Sequence, residues 1–142
     1  MKKLIFVALS AALLSACSSF KSNSLSNEMT LQKGITYSAE WVGKEPVIGR
    51  HKLTLVFADD GRVYGNAGCN HYFGRYQLTN NLLNIDQLGS TRMACAEPLI
   101  MQQEQRFIEH LSAVTRWDIS KTDQLQLWPA EGAPMRFWPE LD

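Results

Sequence analysis

Past its first sixteen residues the chain has no long apolar run. A helix crossing about 30 Å of hydrocarbon needs roughly 20 apolar residues, so no spanning helix is expected. Charge of either sign is also in no surplus, with 14 Lys and Arg against 14 Asp and Glu. The basic residues are scattered and the aromatics do not interleave with them, which argues against a nucleic-acid partner. A phosphate-cradling glycine loop, a Gly-x-Ser-x-Gly elbow and a His-Glu-x-x-His helix are all missing. His51, His71, His110, Cys69 and Cys95 lack the short paired spacings of zinc sites, so neither a metal nor another cofactor is expected.

What is present begins at the amino terminus. Met1-Lys2-Lys3 precedes an almost wholly apolar stretch from Leu4 to Leu14, then Ser15-Ala16-Cys17. That order of positive, apolar and small residues is an export signal over residues 1–16. Leu14-Ser15-Ala16-Cys17 is also similar to the lipobox of bacterial lipoproteins, which implies cleavage before Cys17 and its acylation, palmitate included. More than one chain on that cysteine gives stable anchoring, where a single chain binds marginally. Ser18, rather than Asp, after the cysteine resembles the pattern sorted to the outer membrane, with the domain facing the periplasm.

Residues 17–28 then read as the lipidated cysteine and a flexible Ser/Asn-rich tether, too poor in apolar residues to bury anything. Residues 29–142 make one domain of ordinary size. Loss of Lys2 and Lys3 with the signal leaves twelve basic against fourteen acidic side chains, a mature net charge of −2.

With Cys17 lipidated, Cys69 and Cys95 remain as an even pair in an oxidising compartment, and a disulfide is the expected outcome. Closing that loop stabilises a domain by about 3.5 kcal/mol on the chain-entropy model.

Alternation predicts strands through most of the domain. Leu53, Leu55 and Phe57 alternate with Lys52, Thr54 and Val56, and Asp59-Asp60-Gly61 turns the chain into Arg62-Val63-Tyr64-Gly65. Tyr72 to Leu78 and Leu82 to Asp86 flank Thr79-Asn80-Asn81, where Asn tolerates a left-handed backbone. An earlier strand is expected around Ile35 to Trp41. Trp117 to Ile119, Gln124 to Trp128 and Met135 to Trp138 make a closing three-stranded meander. Between the β blocks, Ile100, Phe107, Leu111 and Val114 recur against polar Gln102, Gln103, Gln105, Arg106 and Glu109, predicting one amphipathic helix over Pro98 to Val114. Pro98 suits its first turn. The fold class is α+β, with one helix covering an open or partly closed antiparallel sheet.

Gly65-Asn66-Ala67-Gly68-Cys69-Asn70-His71-Tyr72-Phe73-Gly74-Arg75-Tyr76, followed by Ser90-Thr91-Arg92-Met93-Ala94-Cys95 and a helix with Gln103-Glu104, closely resembles the META domain of HslJ-type heat-shock lipoproteins. The resemblance spans Leu53 to the carboxy terminus. It implies an antiparallel, barrel-like sheet with one packed helix, and an envelope protein linked to stress with no established enzymatic activity. The same residues have structural explanations: glycines at 65, 68 and 74 permit bulges or positive backbone angles. Asn70 and Thr91 suit hydrogen bonds to nearby backbone, and Arg92 suits a pairing with Glu104.

Two function classes are weighed. A non-catalytic binding or accessory module, expected to be a monomer, would use a groove built from Trp41, Trp117, Trp128 and Trp138 to hold a hydrophobic ligand or an apolar segment of an envelope protein. Core packing is the commoner use of tryptophan. The alternative is a minor hydrolase, or a modulator of an envelope enzyme, with Cys69 or Cys95 as nucleophile and His71 as base. Export opposes it by oxidising the thiols, and no carboxylate close in sequence orients His71.

Overall fold

Nine strands and one helix order the described part of the chain as β1 (Tyr37–Val42), β2 (Glu45–Pro46), β3 (Thr54–Phe57), β4 (Arg62–Asn66), β5 (His71–Thr79), β6 (Leu82–Ser90), α1 (Pro98–Ser112), β7 (Val114–Ile119), β8 (Leu125–Pro129) and β9 (Met135–Pro139). The computed structural model describes residues 29–140; the export signal, Cys17 and the tether fall outside them.

The hairpins follow from local chemistry. Asp60 accepts from the main-chain N–H of Arg62 at 3.1 Å and from its guanidinium at 2.6 Å, closing the β3–β4 turn. Those bonds hold the Asp60 carboxyl below the usual carboxylate range. Thr79 pairs with Leu82 across a two-residue β5–β6 turn in which Asn80 takes φ 55°, as a tight hairpin turn requires.

Every strand neighbour is antiparallel, and the order β1-β3-β4-β5-β6-β7-β8-β9 closes on itself because β9 returns to β1. Ser38 lies opposite Trp138 and Ala39 opposite Phe137. The result is a closed eight-stranded antiparallel barrel, with the two-residue β2 appended to β1. Closure removes the open edge that the sequence left as one option.

The barrel is filled, not hollow. Leu53, Leu55, Phe57, Val63, Tyr72, Leu83, Ile85, Leu125, Leu127 and Phe137 point into one continuous core. Leu31, ahead of the first strand, joins it at the end where the β5–β6 turn lies.

Helix α1 closes the other end. Pro98 sits in its first turn, where a missing N–H costs nothing. Ile100, Phe107 and Leu111 face the core, each worth about 1.5–3 kcal/mol of apolar burial. Phe107 lies edge-on to Tyr72 at 5.5 Å and tilted on Phe137 at 6.3 Å.

The helix departs from expectation in two places. It ends at Ser112, and Val114 opens β7 instead of extending the apolar stripe. Gln103, placed by the pattern on the polar face, is buried. It takes the place in the stripe between Ile100 and Phe107 and is satisfied there by main chain: its Oε1 accepts from Ile48 N–H at 2.7 Å and its Nε2 donates to Ile48 O at 3.1 Å.

The tryptophans do not share one groove. Trp117 is 2 % exposed and belongs to the core, whereas Trp138 is 42 % exposed. Trp41 and Trp128 lie half-buried under guanidinium groups, with Arg136 4.8 Å from the Trp41 centroid and Arg116 4.3 Å from that of Trp128. Stacking of that kind shields apolar ring faces from water. Side chains on neighbouring strands alternate between the two faces of the barrel wall, so pattern alone does not bring these four rings together.

Candidate functional site

The residues singled out from the sequence meet where the β4–β5 turn, the loop 91–97 and the first turns of α1 come together. Asn66 and Gly68 shape the turn: the Asn66 side-chain oxygen accepts from Gly68 N–H at 2.7 Å, and Gly68 takes φ 121°, a backbone that a side chain strongly disfavours. Gly65 is needed for a different reason. A Cβ there would lie 2.1 Å from the carbonyl oxygen of Thr54 on β3, so only glycine lets the two strands approach this closely.

Asn70, 4 % exposed, is the centre of the arrangement. Its amide nitrogen donates to Glu104 Oε1 at 2.8 Å and to Met93 O at 3.2 Å. Its oxygen accepts from the Thr91 hydroxyl at 2.8 Å and from Met93 N–H at 2.8 Å. Glu104 Oε2 accepts from the main-chain N–H of Asn70 at 2.8 Å and of Cys69 at 3.2 Å. Thr91 Oγ1 also accepts from His71 N–H at 3.1 Å, and Thr91 N–H donates to His71 O at 3.0 Å. A turn, a loop and a helix are therefore held by one polar cluster, centred on buried Asn70 with half-buried Glu104 and exposed Thr91 around it, whose members satisfy each other, the condition under which such clusters rigidify.

Arg92 does not pair with Glu104. The Glu104 oxygens are taken by amides, and Arg92 is exposed with no ion pair among the described residues. The adjacent Cys69 and Cys95 form a disulfide with a Cα–Cα distance of 6.0 Å. That bond removes both thiols from nucleophilic use. His71, the base of the hydrolase alternative, opens onto the outer wall beside Tyr64 and Asn66 and not onto the disulfide.

Several openings of about 310 to 600 Å³ mark the surface, and two of them lie at opposite ends of the barrel. One, about 460 Å³, is lined by the Cys69–Cys95 disulfide, His51, Met93, Glu97 and Ile100, among others. The larger, about 600 Å³, lies at the opposite end of the barrel and is lined by Met29, Leu31, Lys33, Leu78, Asn80, Asn81 and Trp117, among others. Among the described residues that line it there is no carboxylate, imidazole or thiol. Among the described residues no three His, Cys, Asp or Glu side chains are grouped as a metal site would require.

Sequence reasoning singled out Asn70 and Thr91 but misassigned Glu104 and missed Gln103. The signal for both was helical position, since Gln103 and Glu104 lie three and four residues beyond buried Ile100 and so share its side of the helix.

Comparison with curated proteins gives no match. Among solved structures, the chain is similar to the NMR structure of a protein from Burkholderia xenovorans, with a TM-score of 0.62 and 24 % identity over 78 % of this chain and 84 % of that one. A second NMR structure is similar at a TM-score of 0.58 and 25 % identity, over 72 % of this chain and 86 % of the other. Both likenesses speak to the barrel. Residues 1–18 match the prokaryotic membrane lipoprotein lipid attachment site. Residues 29–142 match the META domain, and the chain belongs to that family.

Proposed function

We propose that this META-domain lipoprotein is a binding or accessory module of the cell envelope that serves during stress and performs no catalysis. The observation that carries the reading is the make-up of the larger opening, where the described residues bring apolar side chains together with two amides, a hydroxyl and one lysine and with no acid–base pair. A site of that composition holds a ligand or partner by apolar contact and orients it with a few polar groups. The oxidised Cys69–Cys95 pair supports the same reading, because the cysteine-hydrolase alternative needs a free thiolate.

The lipid attachment site makes the protein membrane-anchored. That the acyl groups include palmitate, that the membrane is the outer one and that the domain works as a periplasm-facing monomer belong to the proposal; the lipobox resemblance of Leu14 to Cys17 supports the first and Ser18 after Cys17 the second.

The test is titration of the purified lipoprotein with a fatty acid and with a soluble apolar peptide, beside assays with chromogenic ester and amide substrates. Saturable binding without turnover is expected. Turnover abolished by a single substitution of a polar residue would replace the proposal with an enzyme.

A further inference from the structure

The outer wall of the β4–β5 hairpin departs from the ordinary rules of a sheet in three ways at one place. Arg62 lies directly opposite Arg75, where like charges repel. Two residues along, Tyr64 lies opposite Phe73, and both rings stand in solvent, 44 % and 59 % exposed. On β6 beside them, Gln87 takes φ 51°, a left-handed backbone uncommon outside glycine and asparagine. These residues border a single opening of about 360 Å³, lined by Arg62, Tyr64, Phe73, Gly74, Arg75 and Gln87, among others.

A bulge builds the place. From Phe73 to Arg75 strand β5 takes two steps while its partner takes three, from Gly89 to Asp86, so β6 carries one extra residue around Gln87. Bulges of this kind re-aim side chains. A Cβ at Gly89 would stand 3.0 Å from Cε2 and Cζ of Phe73, so glycine there makes room for the ring, which rests beside β6 and stays open to solvent. Local partners satisfy little of the polar chemistry. Asp60 bonds Arg62 through Nε, an exposed pair of small worth. Arg75 has a carboxylate opposite it on β6, Asp86, yet makes no ion pair among the described residues. Asp86 accepts from Asn84 instead, at 3.3 Å.

We propose that this opening is a second binding site, separate from the larger opening at the other part of the barrel, and that it takes a sugar residue bearing a carboxylate or a phosphate, presented by an envelope glycan. Each lining group then has a task. The two exposed rings offer an apolar platform to the C–H face of a pyranose, with a few polar groups beside it to fix orientation. Arg75, with Arg62 next to it, supplies the planar donors that carboxylate and phosphate match. The exposed Gln87 amide offers both a donor and an acceptor to a hydroxyl. A hydrocarbon chain would desolvate two guanidiniums without return, and a bare anion would leave the rings unused. The opening lies on the outer face of the sheet and not inside the barrel, so one residue of a longer polymer reaches it without threading.

The test is amide NMR of the isotope-labelled lipoprotein in nanodiscs, titrated with N-acetylmuramic acid, glucosamine 6-phosphate, uncharged N-acetylglucosamine and inorganic phosphate. Saturable shifts at the amides of Phe73, Arg75 and Gln87 are expected from at least one charged sugar, with affinity at least fivefold above that for N-acetylglucosamine and for phosphate. Preference for N-acetylmuramic acid assigns the site to a carboxylated glycan, and preference for glucosamine 6-phosphate to a phosphorylated one. Arg75→Gln and Phe73→Ala, both at exposed positions, should each weaken binding at least fivefold, whereas Lys121→Gln in the β7–β8 turn should stay within twofold. Should either site variant disturb amides across the barrel, Arg75→Lys or Phe73→Leu replaces it. Phosphate binding as tightly as the sugars overturns the sugar platform, and N-acetylglucosamine binding as tightly overturns the role of the arginines. Shifts confined to other parts of the barrel, or none from any probe, overturn this site and leave the reading of the larger opening standing.

Discussion

Glu104 accepts both the side-chain amide and the main-chain N–H of Asn70, each at 2.8 Å, so one carboxylate on the helix fixes one asparagine in the β4–β5 turn. The other atoms of the same asparagine amide hold the loop that carries Met93 and Thr91. Removing either partner leaves buried donors or acceptors with nothing to bond. Asn70→Ala is expected to lower stability by roughly 2–4 kcal/mol, and Glu104→Ala by a similar amount. The double variant should cost clearly less than the sum of the two, the mark of a direct interaction. Urea unfolding of the four proteins checks this.

Gly65 and Gly34 separate two reasons for glycine. A Cβ at Gly65 collides with the Thr54 main chain, whereas at Gly34 it meets no atom within 4 Å and faces only a positive φ of 75°. Gly65→Ala is expected to destabilise by several kcal/mol, in the manner of an overpacked core position, and Gly34→Ala by about 1 kcal/mol. Thermal midpoints of the two variants should therefore differ widely. Equal midpoints would mean that β3 and β4 move apart without cost.

Gln103→Leu keeps the volume of the side chain and removes both of its bonds to Ile48. The expected result is a loss of roughly 1–3 kcal/mol, with accelerated hydrogen exchange at the Ile48 amide. Exchange unchanged at Ile48 would show that water replaces the glutamine.

Tyr72 is almost fully buried, and burial pushes its phenol well above the usual tyrosine value. Burial likewise raises Tyr37, partly countered by the hydrogen bond that it donates to Gln32 O. A folded-state value above the unfolded one near 10 gives stability that is complete below pH 10 and is lost as pH rises beyond it. Alkaline unfolding should therefore accompany the appearance of tyrosinate absorbance. Tyr72→Phe is expected to reduce that sensitivity. At neutral pH it should cost about 1 kcal/mol, through loss of the bond donated to Thr54 O.

Local features were the ones legible from sequence. The β3–β4 and β5–β6 hairpins follow from alternation and from turn residues a few positions apart, and the helix start follows from Pro98. Closure of the barrel rests on Ser38 meeting Trp138, one hundred residues away, which no local pattern encodes. The polar cluster was half legible. Asn70 and Thr91 stood out through their neighbours, but a buried Gln103 and a Glu104 bonded to amides look from sequence like ordinary solvent-facing helix residues. Their partners come from distant segments, and only tertiary packing makes burial of the Gln103 amide tolerable.

Intact mass of the protein purified from membranes tests the lipid at Cys17 and the staple between Cys69 and Cys95 together. The predicted mass is that of a chain beginning at Cys17 with added acyl groups, in which two thiols alkylate only after reduction. Reduction should also lower the thermal midpoint by roughly 15 °C, the equivalent of about 3.5 kcal/mol in a domain of this size. A chain without acyl groups, with Cys69 and Cys95 alkylated before any reductant is added, would contradict the anchored, stapled barrel and return a reactive cysteine to consideration.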